Sequence, residues 1–231
     1  MPKVLIIDNN IDEPWPFGRD FRRYIYEGTA VEVRRGPQQD LPKNPGQYSH
    51  VVLSGSKTSC MDVSPWVEKL LVYIRDASDQ GSAILGVCFG HQMVARAFGG
   101  IQAVRKSKMP EIGWIEVVAD KKNPILEGLP QKFHSFQLHF DEVASLPSEL
   151  VATARSERCA IQAYHHVKKP VFGIQFHPEK NAEEGQRSID SKRKEGHGDC
   201  IFNGHRANSL YSEYVANTIF TNFLRINAGK S

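Results

Sequence analysis

Short apolar runs alternate with helix-like segments through the first hundred residues of the chain. Runs typical of strands lie at 3–8, 31–34, 50–53 and 83–85. Helical patterns cover 17–27, a segment that begins at Ser64-Pro65 and ends at Gly81, and 93–98. This alternation predicts an α/β fold, with an open, mostly parallel central sheet and helices on both faces.

From about Ile101 the pattern changes to short β runs. They lie at 115–118, 142–146, 151–154, 161–165 and 171–176. Alternation of apolar residues at Ile161 and Ala163 favours antiparallel strands, so we expect a short antiparallel β section beside the parallel sheet. A final helix over 209–226 would place four apolar or aromatic residues near one face and in the core: Leu210, Tyr214, Ile219 and Phe223.

The polar stretch 181–208 separates the last predicted strand from that helix. It is Gly-containing, includes Lys192-Arg193-Lys194, and is predicted to be a long loop inserted in a single domain spanning 1–231. We hypothesise that it gates the entrance of a nearby site or docks a partner, because it follows a candidate catalytic segment directly. A solvated loop with no role is the alternative.

Cys88 lies between a predicted strand and a predicted helix, with glycines two residues before it and two after it. A sharp turn at a nucleophile requires small residues at both positions, here Gly86 and Gly90. The start of the helix directs free backbone N–H groups at the sulfur, which favours the thiolate. A buried core cysteine is the simpler alternative.

A second candidate segment, 172–179, is an apolar run that ends in His177-Pro178-Glu179. Strand alternation places His177 and Glu179 on the same side. A thiol nucleophile needs a base, and the base needs a group that holds its orientation. Cys88, His177 and Glu179 supply these three roles.

These segments resemble the class I, triad-type glutamine amidotransferases. The resemblance is carried by 86–92 (Gly-Val-Cys-Phe-Gly-His-Gln), 175–179 (Gln-Phe-His-Pro-Glu), 3–9, 51–55 and Glu111-Ile112-Gly113-Trp114. It covers most of residues 1–180 and is strongest to the stand-alone, GMP-synthase-like glutaminase branch. It implies a flavodoxin-like α/β domain.

The resemblance also implies a mechanism. Cys88 would attack the side-chain amide of L-glutamine, His177 would pass a proton to the departing ammonia, and Glu179 would orient His177. The resulting γ-glutamyl thioester would then be hydrolysed. Backbone N–H groups of Gly55 and Phe89 would form the oxyanion hole, and Gln92 would contact the bound glutamine.

Two positions depart from the family pattern. Ser56 stands where the oxyanion turn usually has a second glycine, and Leu138 stands where a serine often precedes the His-x-Asp element. From that element we carry over His139 and Asp141 as substrate-binding residues. Asp141 as the cap of a turn is an equal alternative.

Composition narrows the partners. With 29 basic and 26 acidic residues, the charge is nearly balanced, which predicts no nucleic-acid partner. The sequence contains no apolar run long enough to span a membrane and no signal-peptide pattern, so we predict a cytoplasmic protein without a membrane partner. The spacing of His197, Cys200 and His205 matches no common zinc pattern, so we predict no metal and no cofactor.

Three functions stay open. The first is a glutaminase that passes ammonia to a separate synthetase subunit, because the chain has no nucleotide-binding P-loop of its own. The second is a free-standing γ-glutamyl peptidase or hydrolase that acts on small γ-glutamyl compounds. The third, a non-catalytic binding protein, is disfavoured by the intact Cys88, His177 and Glu179.

Overall fold

The computed structural model describes residues 2–12, 17–204 and 206–227. The strands are β1 (Lys3–Asp8), β2 (Ala30–Arg35), β3 (His50–Leu53), β4 (Ala83–Val87), β5 (Val104–Ala119), β6 (Lys132–Val143), β7 (Leu150–Arg155), β8 (Ala163–His166), β9 (Val171–Ile174) and β10 (Ile201–Phe202). The helices are α1 (Phe17–Arg22), α2 (Pro65–Asp79), α3 (Phe89–Gly99), α4 (Ala182–Lys194), α5 (Ala207–Leu210) and α6 (Glu213–Arg225). None of these helices is long and apolar enough to cross a membrane.

The strands form one sheet in the order β10-β5-β7-β8-β9-β4-β3-β1-β2, with β6 paired to β5. Strands β2, β1, β3, β4 and β9 are parallel neighbours. Strands β5 to β9 continue the sheet through antiparallel pairs. The predicted parallel sheet with a short antiparallel section is confirmed.

Helices cover both faces of the parallel half. On one face, side chains of α1 and α6, such as Phe21 and Phe220, pack against Val4, Ile6 and Val52. On the other face, side chains of α2 and α3 pack against residues of opposite parity in the same strands, including Leu5 and Val51. The buried face of α2 includes Trp66, Leu70, Leu71 and Ile74.

The carboxyl ends of β3, β4 and β9 lie side by side in this sheet. Leu53 pairs with Gly86, and Val87 pairs with Ile174. The segments that follow these strands begin with Ser54, Cys88 and Gln175 and therefore meet at one edge. Ligands of open α/β sheets bind at this edge.

Several predicted boundaries were wrong. Helix α1 ends at Arg22 instead of continuing to residue 27, and the predicted strand 115–118 is only the end of the long strand β5. The last helix starts at Glu213, because Tyr211 and Ser212 have extended backbone angles that separate it from α5.

The predicted core face of this last helix was partly right. Ile219 and Phe223 are buried, and Leu210 is partly buried on α5. Tyr214 was wrongly assigned to the core, since it is 56% exposed and its hydroxyl donates to the carbonyl of Gly128.

The prediction of a loop over 181–208 was also wrong, because 182–194 form α4. A capping box starts this helix: the Asn181 side chain accepts from the Glu184 N–H, and the Glu184 carboxylate accepts from the Asn181 N–H. Few apolar residues mark the helix, which buries only Gly185 and Ile189. Gly185 permits close packing, because a Cβ at this position would lie 3.0 Å from the Trp114 ring.

Candidate active site

Cys88 occupies the turn between β4 and α3 with φ 53° and ψ −108°. A non-glycine residue in this region is strained by about 1–3 kcal/mol, and such strain clusters at functional sites. The turn also requires both flanking glycines. A Cβ on Gly86 would lie 2.3 Å from the Gly90 carbonyl oxygen, and one on Gly90 would lie 2.4 Å from that of Leu53.

His177 and Glu179 follow β9 and form a buried pair. His177 Nδ1 lies 2.7 Å from Glu179 Oε1, and the residues are 3% and 1% exposed. The backbone N–H of His177 donates to the carbonyl of Phe136, which attaches this segment to β6. Burial lowers the pKa of His177, but the Glu179 carboxylate and the Cys88 sulfur outweigh burial and raise this pKa to about 10.

Gly55 lies against both Cys88 and His177. A Cβ at Gly55 would be 3.1 Å from His177 Cε1 and 3.6 Å from Cys88 Cβ. Phe89 is the first residue of α3, so its N–H has no acceptor within the helix. Ser56 does not have a positive φ, so the serine in this turn is tolerated without strain of that kind.

A cavity of about 370 Å³ opens at this edge of the sheet. It is lined by six of the eight predicted site residues, Gly55, Cys88, Gln92, His139, Asp141 and His177. Glu179 contacts His177 Nδ1, and neither Glu179 nor Phe89 lines the cavity. Its remaining walls come from the turn after β3, from β5 and β6, and from α4, through Ser56, Lys57, Thr58, Ser59, Lys106, Leu138, Phe140 and Lys192.

Gln92 and Asp141 are engaged in contacts within the protein. The Gln92 amide group donates to the carbonyl of Asp141 and to Gln175 Oε1. Asp141 Oδ2 accepts from the Ser59 hydroxyl at 2.7 Å and from the Cys60 N–H at 2.8 Å. These contacts attach the segment after the Gly55 turn to β6.

His139 belongs to a buried polar network beneath the cavity. Its Nδ1 lies 3.0 Å from the Asp141 carbonyl oxygen, and its Nε2 lies 3.0 Å from Glu111 Oε2. Glu111 is fully buried and also accepts from Ser156 and Gln162. Glu111, His139 and Cys159 are close enough to form a candidate metal cluster. Because hydrogen bonds already engage the Glu111 oxygens, we interpret the cluster as a hydrogen-bond network.

The sequence pattern did not identify the basic residues of the cavity. Lys106 comes from β5, and Lys192 lies on α4, in the segment predicted to be a loop. In the sequence, the run Lys192-Arg193-Lys194 indicates only a cluster of positive charge. His205, the third residue of the spacing with His197 and Cys200, lies outside the described residues.

The fold and this arrangement define an α/β protein with a cysteine at a strand–helix elbow beside a buried histidine–glutamate pair. Residues 19–193 match the family "Glutamine amidotransferase class-I". A glutamine-hydrolyzing GMP synthase subunit from Methanopyrus kandleri is 44% identical over 179 residues, which cover 76% of this chain and 88% of that protein. The corresponding protein from Methanocaldococcus jannaschii is 30% identical over 176 residues, covering 76% and 87% of the two chains.

Solved structures show the same fold. A glutamine amido transferase from Methylobacillus flagellatus superimposes with a TM-score of 0.76 at 27% identity, covering 97% of this chain and 94% of that one. A glutamine amidotransferase from Thermotoga maritima gives a TM-score of 0.78 at 24% identity, with 96% of both chains covered. The chain belongs to the class I glutamine amidotransferase family, whose members are cysteine-dependent amide hydrolases.

Proposed function

We propose that this protein hydrolyses the side-chain amide of L-glutamine to glutamate and ammonia. The observation that carries the proposal is the His177–Glu179 pair, held at 2.7 Å beside Cys88 and Gly55 at the buried end of the cavity. A thiol nucleophile needs a base, and the base needs a third group that orients it. A buried imidazole–carboxylate contact beside a strained cysteine supplies both groups.

In this mechanism the Cys88 thiolate attacks the amide carbon while His177 holds the proton. The negative charge that develops on the carbonyl oxygen is stabilised by the backbone N–H groups of Gly55 and Phe89. The intermediate collapses as His177 donates its proton to the nitrogen, and ammonia leaves. His177 then accepts a proton from water, which attacks the γ-glutamyl thioester, releases glutamate and restores the thiolate.

Glu179 keeps His177 in the orientation that serves both proton transfers. Its carboxylate also stabilises the imidazolium, which fits the raised pKa of His177. Because Glu179 does not line the cavity, we treat it as a positioning residue in this scheme.

A separate synthetase subunit is the partner we propose as the acceptor of the ammonia. The support is indirect: the relatives are named as glutamine-hydrolyzing subunits of GMP synthase, and this chain has no P-loop motif for activating an acceptor. γ-Glutamyl compounds other than glutamine are the second candidate substrates, because lysines from three different elements reach the cavity.

Glutamate release from L-glutamine by the purified chain tests the proposal. We expect turnover by the wild type and none by Cys88→Ala, with Cys200→Ala as the control because Cys200 is only partly buried and does not line the cavity. Mass spectrometry of the intact protein during turnover should detect the γ-glutamyl adduct on Cys88. Equal glutamate release by the wild type and Cys88→Ala would refute the proposal.

A further inference from the structure

The mouth of the active-site cavity carries more positive than negative charge. Lys57, Lys106 and Lys192 line it, and Asp141 is the acidic residue among the described lining residues. Both Asp141 hydrogen bonds from Ser59 and Cys60 end on the same carboxylate oxygen, which fixes that group toward the turn. The lysines therefore set the charge that an entering molecule meets.

The three lysines differ in how far they are neutralised. Lys57 forms an ion pair with Asp12 at 2.8 Å, and Lys192 forms one with Glu195. Lys106 pairs in register with Asp141 across β5 and β6, yet no carboxylate in the described part of the chain lies within ion-pair distance of its ammonium group. Among the residues that the structure describes, Lys106 is thus a free cation at the cavity.

Lys192 is held at the cavity by the packing of α4. Its Nζ lies 5.8 Å from the centre of the Phe140 ring, and the His197 ring packs on Phe140 at 4.8 Å. Only 23% of the Lys192 side chain is exposed. This packing keeps the Lys192 ammonium at the cavity wall, although the ammonium also contacts Glu195.

The predicted catalytic residues and the lysines lie at different depths in the cavity. Cys88 and His177 are buried, at 6% and 3% exposure, whereas Lys106 is exposed. A carbonyl that reaches Cys88 leaves the rest of its molecule extending toward the mouth. A negatively charged group on that molecule would meet Lys106 and Lys192 there.

We propose that Lys106 and Lys192 form a carboxylate-binding pair, so that the site selects γ-glutamyl compounds by a carboxylate at the cavity mouth. This inference rests on the proposed function. The carboxylate has two possible sources with the same chemistry: the α-carboxylate of the γ-glutamyl part, or a carboxylate on an amino-acid leaving group.

Calorimetric binding to the full chain with Cys88→Ala tests the pair without requiring turnover. Two matched ligand pairs separate the sources: γ-glutamylglycine against γ-glutamylglycinamide, and L-glutamine against L-glutaminamide. In one of the two ligand pairs we expect the carboxylate ligand to bind about tenfold more tightly than its amide. This ratio is the size expected when a carboxylate makes two partly exposed charge contacts. Adding Lys106→Gln and Lys192→Gln should bring that ratio close to one.

The control replaces Lys108 and Lys194 by glutamine, because these lysines lie on the same strand and helix but do not line the cavity. It should leave the ratio unchanged. The ligand pair whose affinity ratio falls when Lys106 and Lys192 are replaced identifies the source of the carboxylate. Ratios that do not change on replacing Lys106 and Lys192, that change equally in the control, or no measurable binding of all four ligands would overturn the inference. Failure of the proposed function is seen separately, as glutamate release that does not depend on Cys88.

Discussion

Replacing Glu179 by glutamine tests whether the charge behind His177 drives the reaction. Glutamine keeps the shape of the side chain and one oxygen that can accept from His177 Nδ1. It removes the charge that raises the pKa of His177. It also places an amide N–H₂ at the position of Glu179 Oε2, which has no hydrogen-bond partner among the described residues.

The size of the effect follows from the burial of the pair. Removing one partner of a buried ion pair costs about 3–5 kcal/mol. If all of this is lost from the transition state, kcat falls between about 100-fold and several thousand-fold. Because Glu179 does not line the cavity, KM should change little.

Steady-state glutamate release, with kcat and KM determined separately, measures this effect. The matched control is Glu183→Gln, which removes an exposed ion pair with Arg187 on α4 and should leave both constants unchanged. A kcat for Glu179→Gln within about threefold of the wild type, in a protein that is folded at the assay temperature, would refute the assigned role of the pair.

The remaining predictions concern the elbow, the oxyanion turn, the titration of His177 and Asp141. Gly86→Ala should destabilise the protein by about 1–3 kcal/mol or more, because its Cβ would lie 2.3 Å from the Gly90 carbonyl oxygen; an unchanged urea midpoint would contradict this. Gly55→Ala should lower kcat at least tenfold by displacing His177, as roughly 1.4 kcal/mol of lost stabilisation would, while Gly198→Ala, whose Cβ meets nothing within 4 Å, should not. The imidazole resonances of His177 should titrate near pH 10 in the wild type and at lower pH in Glu179→Gln. Since the folded-state pKa exceeds the usual 6.5, the stability from His177 protonation is full below pH 6.5 and is lost as pH rises toward 10, which pH-dependent unfolding can follow. Asp141→Ala should be destabilised by about 1–3 kcal/mol and Asp141→Asn much less, as denaturant unfolding would measure.

The sharp turn at Cys88 and the contact between His177 and Glu179 follow from local rules that the sequence shows. The elbow needs small residues at Gly86 and Gly90 because of contacts within a few residues of Cys88 and with the adjacent strand β3. His177 and Glu179 lie two residues apart after one strand, so their pairing is a local property as well. Roles that the geometry alone does not test, such as substrate contact by Gln92, stay predictions.

The parts that were missed depend on packing between distant segments. Helix α4 is nearly all polar, so hydrophobic periodicity does not reveal it, although its Asn181 to Glu184 capping box does mark its start. Tyr214 fits the apolar spacing of α6, but the helix turns this position outward, where its hydroxyl contacts the Gly128 carbonyl. Lys106 and Lys192 line one cavity because α4 places Lys192 beside Phe140 of β6.

Two substitutions of Asp141 can distinguish a structural role from substrate binding. The sequence pattern predicts either substrate binding or the cap of a turn, and the contacts of Asp141 with Ser59 and Cys60 favour a structural role. Both contacts end on one oxygen, so asparagine can keep them while losing the charge, whereas alanine loses both. If Asp141 holds the turn, Asp141→Asn should retain near wild-type KM and stability, and Asp141→Ala should lose stability and raise KM by releasing the segment after Gly55. If the carboxylate instead binds the ammonium group of the substrate, the asparagine variant should raise KM as much as alanine does, because that contact requires the charge. A high KM in a stable Asp141→Asn protein would therefore move Asp141 from the framework of the cavity to its substrate contacts.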